Sequence, residues 1–260
     1  MEPVYRTLEM IALGLRGAQG VRIDYRGAEN IPTSGGAVLA INHTGYMDFI
    51  PVALGVYRRG RRIRFMIKSE MMDIAIMRFL ITRTKTVPVD RSAGHEAYEA
   101  AVAELRDGEL LGVYPEATIS RSFEIKELKS GAVRMAAAAG VPIIPIICWG
   151  AHRQWTKGGI RSMGRKKIPV IVEYGTPIDL SAVDLDSTTS VDAKVSELRD
   201  TMISMLHPIQ EEYDHPAGAP WVPARLGGSA PTFDEAKVIE DEEAANKAAA
   251  RAAKRESGRR

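Results

Sequence analysis

Residues 37–56 read AVLAINHTGYMDFIPVALGV. The first six, Ala37 to Asn42, form an apolar run without alternation, the pattern of a strand buried on both faces. From Met47 the apolar positions take helical spacing. A strand that passes through one short polar turn into a helix is half of a βαβ unit. In an open parallel sheet, ligands gather at the carboxyl ends of strands, where this turn lies. His43 sits on the strand-to-helix turn, and Asp48, in the first helical turn, reaches back toward its imidazole. A carboxylate on one ring nitrogen fixes the tautomer and leaves the other nitrogen free to take a proton from a hydroxyl. By itself, the pair also suits a plain helix cap.

Outward from this stretch the same alternation continues. Strand-like segments occur at Val21–Tyr25, Ile63–Lys68, Thr86–Asp90, Leu110–Tyr114, Pro142–Trp149 and Ile168–Tyr174, with helix candidates at about 47–57, 70–83, 93–107, 128–139 and 191–213. The expected fold is α/β: a mostly parallel twisted sheet of about seven strands flanked by helices. Val4, Leu8, Ile11, Ala12 and Leu15 predict an amphipathic N-terminal helix over about 3–18. The domain body is expected over residues 1–213. Residues 214–232, rich in Pro and Gly, read as an extended linker, and 233–260 as a charged, Ala-rich helical or disordered tail.

The chain has 260 residues and one cysteine, Cys148, which excludes an internal disulfide or a cysteine-cluster metal site and suits a reducing compartment. No signal-peptide pattern and no membrane-spanning run are expected. The net charge of +2 is unevenly spread: residues 1–92 hold 14 Lys and Arg against 8 Asp and Glu. Arg58, Arg59, Arg61, Arg62 and Arg64 form a dense cluster that would attract anions such as lipid headgroups. Nucleic acid is not expected, since the cluster has only Tyr57 and Phe65 for stacking and belongs to no recognised module. No G-x-S-x-G, H-E-x-x-H or G-x-x-x-x-G-K-[ST] occurs, which speaks against a serine hydrolase, a zinc protease or a P-loop.

Several segments share one resemblance. Asn42-His43-Thr44-Gly45-Tyr46-Met47-Asp48 resembles the N-H-x(4)-D motif of the glycerolipid acyltransferases, of the 1-acylglycerol-3-phosphate or glycerol-3-phosphate type. Lys68-Ser69-Glu70 is similar to that family's K-x-E element, and Val87-Pro88-Val89-Asp90-Arg91 to its strand ending in D-R. Tyr114-Pro115-Glu116-Ala117-Thr118-Ile119-Ser120 is similar to F-P-E-G-T-R-S, and Val141 to Ile146 to the fourth motif. These elements run in family order over about residues 20–175.

The resemblance implies transfer of a fatty acyl group from acyl-CoA or acyl-carrier protein to a hydroxyl of glycerol 3-phosphate or 1-acylglycerol 3-phosphate. No metal or other cofactor is implied. His43 would be the general base and Asp48 its orienting group. Lys68 would lie near the oxyanion, Arg91 would grip the acceptor phosphate, and Glu116 and Thr118 would shape the acceptor pocket. The chain departs from the pattern at Ala117, for glycine, and at Ile119, for arginine. The first narrows the allowed backbone and the second removes a cation, so that either Arg121 or Lys126 substitutes from a shifted position or the acceptor is held mainly by Arg91. Met66, Met71, Met72 and Met77 suit either a wall for the acyl chain or ordinary core. The expected setting is cytoplasmic, peripherally attached to the inner face of the cell membrane, where the N-terminal helix and the basic cluster would meet anionic lipids. The alternatives are an acyltransferase on a different lipid or polar acceptor, and a non-catalytic protein that binds anionic lipids.

Overall fold

The computed structural model describes residues 2–89 and 94–257. After helix α1 (Pro3–Gln19) come β1 (Arg22–Arg26), β2 (Ala37–Ile41), α2 (Phe49–Arg58), β3 (Ile63–Lys68), α3 (Ala75–Arg83) and β4 (Val87–Val89). Then follow α4 (Gly94–Arg106), β5 (Leu110–Val113), α5 (Gly131–Ala139), β6 (Ile143–Trp149), β7 (Pro169–Tyr174), α6 (Thr188–Glu212) and α7 (Phe233–Ser257).

The main sheet holds six strands in the order β1-β7-β6-β2-β5-β3, and the three-residue β4 is added only along the end of β3. The expected count of about seven therefore resolves into six and a short edge strand. All neighbours are parallel except β6 and β7. β2 lies in the middle and shows why its sequence does not alternate. Val38 and Ala40 enter the core beneath α4, α5 and α6, while Ala37, Leu39 and Ile41 enter the opposite core beneath α2. Both faces are covered, so both sets of positions are apolar.

The arginine cluster is not a free basic patch. Arg64 is buried against Glu2 and Glu109, Arg62 pairs with Glu9, and Arg61 donates to the carbonyls of Pro32, Gly35 and Gly108. Arg58 stacks over the Tyr25 ring at 5.1 Å. The cluster instead fastens α1 and neighbouring turns to the β3 side of the sheet. Buried guanidinium groups need such partners to offset lost hydration.

Residues 214–232, read above as an extended linker, pack against the body. Val222 and Ala230 are buried, the Trp221 carbonyl accepts a hydrogen bond from the His152 ring, and the Arg153 guanidinium lies 4.0 Å from the Trp221 ring centroid. The glycines and prolines make turns, while Trp221 and Val222 supply the anchor that composition alone conceals. The tail continues as α7, whose start is a reciprocal cap: Thr232 Oγ1 accepts the Glu235 N–H, and Glu235 Oε2 accepts the Thr232 N–H.

Candidate active site

β2 delivers its end to a fixed place. The Asn42 side chain accepts the Cys148 N–H at 2.7 Å and donates to the Cys148 carbonyl, locking the strand end to β6. Cys148 is buried, and burial pushes its thiol well above the ordinary range, as expected of a packing residue. The chain then turns through His43, Thr44 and Gly45 into α2, whose N-cap is Asp48.

Asp48 is fully buried, and one oxygen, Oδ2, serves three groups. It accepts the Thr44 N–H at 2.8 Å and the Gly45 N–H at 2.7 Å, and faces His43 Nδ1 at 3.4 Å. The last distance is long for a hydrogen bond. Burial raises the Asp48 carboxyl above its usual range against the lowering pull of His43 and the two N–H groups. Glycine is required at position 45: a Cβ there would lie 2.8 Å from the His152 Cα and 2.9 Å from the Trp155 carbonyl oxygen.

The other walls come from the turn after β5. Tyr114 stacks on the His43 ring, with centroids 4.1 Å apart, and the ring remains 20% exposed. Glu116 is buried, and its two oxygens bind two segments: Oε1 accepts the His43 N–H at 2.8 Å and Oε2 the Lys126 N–H at 3.1 Å. Burial outweighs these donors and pushes its carboxyl up to about 7. The Ser120 N–H donates to the His43 carbonyl at 2.8 Å, so the backbone of His43 is held from both sides. Thr118 Oγ1 accepts from the Lys126 ammonium. Ala117 has φ +62°, the left-handed region that glycine occupies freely, and Ile119 is buried.

His43, Asp48, Glu116 and Thr118 thus gather around the ends of β2 and β5. Lys68 ends β3, on the far side of β5, and its side chain lies outside what the structure describes. Arg91 falls within residues 90–93, outside the described residues. Two supports were not visible in the sequence. The Thr156 hydroxyl donates to the Thr44 carbonyl, and the Tyr46 N–H to the Trp155 carbonyl at 2.9 Å. Both come from more than a hundred residues downstream, and no local signal marks them.

An apolar surface lies nearby. Met10, Ile11 and Leu15 of α1 are exposed, as are Ile74, Ile76 and Phe79 in and before α3. Met66, Met71, Met72 and Met77 are half-buried. Among the described residues no helix is long and apolar enough to cross a membrane, and no three His, Cys, Asp or Glu are placed to hold a metal ion.

Residues 22–149 match the family model described as Acyltransferase. A 1-acyl-sn-glycerol-3-phosphate acyltransferase of Bacillus subtilis is 31% identical over 136 residues, covering 52% of this chain and 64% of that protein. The enzyme of the same name from Borreliella burgdorferi is 24% identical over 197 residues, 74% of each chain. Among solved structures, the 1-acyl-sn-glycerophosphate (LPA) acyltransferase PlsC from Thermotoga maritima shares the fold. Its TM-score is 0.54 at 21% identity, over 76% of this chain and 80% of that one.

Proposed function

The chain belongs to the acyltransferase family, and from that premise we propose that it moves a fatty acyl group from acyl-CoA, or from acyl-carrier protein, to a hydroxyl of 1-acylglycerol 3-phosphate or glycerol 3-phosphate. The names of its relatives favour the first acceptor. The observation that carries the reading is the His43 ring set 3.4 Å from a buried carboxylate that two backbone N–H groups hold in place.

With Nδ1–H directed at Asp48, Nε2 accepts the proton of the acceptor hydroxyl as its oxygen attacks the thioester carbonyl. The tetrahedral oxyanion needs donors, a role assigned to Lys68 by resemblance. Collapse breaks the carbon–sulfur bond, and the departing thiolate takes the proton from the imidazolium. No covalent enzyme intermediate or cofactor is needed. Arg91 is assigned to the acceptor phosphate, and Glu116 fixes the backbone of the base. The acyltransferase unit is taken as residues 1–213.

The exposed side chains of α1 and α3 support docking at a lipid surface. Arg6, Arg78 and Arg83, exposed on the same two helices, would supply the charge toward anionic headgroups, a part that Arg61, Arg62 and Arg64, already partnered within the fold, do not play.

The test supplies acyl-CoA with a panel of glycerophosphate acceptors and identifies the acylated product. Acceptor-dependent CoA release that His43→Ala abolishes is the expected result. Absence of such release with every acceptor, or full activity in His43→Ala, would overturn the proposal.

A further inference from the structure

Two cations flank the Glu116 turn, and one helix holds both. Arg121 pairs with Glu243, and Lys126 pairs with Glu240 at 2.7 Å, both acids belonging to α7. Lys126 is wired to the site: its ammonium donates to Thr118, and its backbone N–H to the carboxylate that also holds His43. These pairings leave capacity unused. Among the described residues, the buried Nε of Arg121 and the buried Oε1 of Glu240 make no hydrogen bond.

Beside Arg121 lies an open groove of about 720 Å³, lined also by Tyr46, Trp155, Arg161 and Glu243. That volume lies within the usual range for small-ligand sites, about 300–1,000 Å³. α7 itself has little else to hold it. Among its described residues only Ala236 is buried, and Val238 faces solvent.

We propose that Glu240 and Glu243 of α7 cap the seat formed by Arg121, Lys126 and Thr118 until the acceptor's phosphate, which Arg91 is also assigned to hold, displaces them. The identity of the ligand rests on the proposed function; the cap does not. Ile119 brings no charge to the turn, so the cations come from two and seven residues further on. A phosphate monoester offers three acceptor oxygens and more than one negative charge, so it can engage the guanidinium fork and the ammonium together. Each carboxylate engages one cation. The carboxylates, however, are tethered, which gives them a high effective concentration against free anions.

The experiment titrates glycerol 3-phosphate and, separately, inorganic phosphate into the full chain and into Glu240→Gln/Glu243→Gln, reading heat of binding. Glu242→Gln, exposed on the same helix, serves as control. The double variant should bind glycerol 3-phosphate about fivefold more tightly at low salt, the scale on which two partly exposed ion pairs compete. The control should match wild type, and the ligand should speed hydrogen exchange in α7. Should the double variant melt early, Glu243→Gln alone carries the same comparison. Equal affinity in a folded variant would overturn the cap, and inorganic phosphate binding as tightly as glycerol 3-phosphate would overturn the acceptor seat. Acyl transfer is measured in parallel: its absence with every acceptor sinks the proposed function while the binding data still decide the cap.

Discussion

Replacing Asp48 by Asn separates the chemistry of the turn from its folding. The side chain keeps its shape, and the amide oxygen can take the place of Oδ2 toward the Thr44 and Gly45 N–H groups. Two things change. The negative charge 3.4 Å from His43 Nδ1 disappears, so nothing stabilises the imidazolium that forms as the hydroxyl is deprotonated. An NH2 group also enters the buried position of Oδ1, which has no hydrogen-bond partner among the described residues. Loss of an effective general base costs about 10²–10⁴ in rate, or about 3–5 kcal/mol of barrier. For stability the terms oppose each other. An unmet buried donor costs about 1–3 kcal/mol. Against this, removing the charge of a fully buried carboxylate, which burial raises above its usual range, relieves a desolvation cost. The expected result is kcat lower by about 10²–10⁴ with KM for the acceptor nearly unchanged, and a melting temperature within about 4 °C of wild type. Steady-state kinetics of thiol release and a thermal melt give both readings. A kcat within threefold of wild type would refute the role of Asp48. A collapse of melting temperature in step with activity would show that the carboxylate serves the fold instead.

Three further outcomes follow from individual residues. Ala117→Gly should stabilise the protein: a left-handed alanine costs about 1–2 kcal/mol, the greater freedom of unfolded glycine returns about 0.5–1, and the net gain should raise the melting temperature by about 1–3 °C. A lower melting temperature would contradict the strain at φ +62°. Glu116→Gln should set an NH2 against one of the two N–H groups that the carboxylate accepts, and lower kcat at least about tenfold at pH 8. Because the carboxyl is pushed up to about 7, wild type itself takes up that proton as pH falls, so the wild-type to variant ratio should shrink through pH 7; a flat ratio would contradict it. His152 is buried beside Trp149 and Phe123, and burial pushes its imidazole down to about 3 from 6.5. Above 6.5 both folded and unfolded forms are neutral and the group has no effect; below it only the unfolded chain takes the proton, so stability is lost from pH 6.5 toward 3. Denaturant unfolding at pH 7 and pH 4.5 should differ by about 3 kcal/mol from this group, a difference that His152→Phe should remove.

How much of this was legible in the sequence depended on the range over which each feature is assembled. The β2 run announced its burial because the helices on both sides impose the same demand on every position, Val38 and Ala40 to one core, Leu39 and Ile41 to the other. The base and its carboxylate were equally readable, since His43, the two N–H groups and Asp48 lie within six residues and close on one another through the local backbone. Charge was not. A run of five arginines reads as a patch only while its partners are unknown, and Glu2, Glu9, Glu109 and three carbonyls reach it from other elements. The same reasoning applies to the tail. In the sequence it is only a charged, Ala-rich helical or disordered tail, yet Glu240 and Glu243 find Lys126 and Arg121 across 114 and 122 residues of chain. A local motif therefore carries the proposed proton-transfer pair, whereas the proposed grip on an anion rests on long-range pairing. Within such a family the base can stay in place while the cations and the acids that oppose them move, and the acceptor preference would follow the moving part.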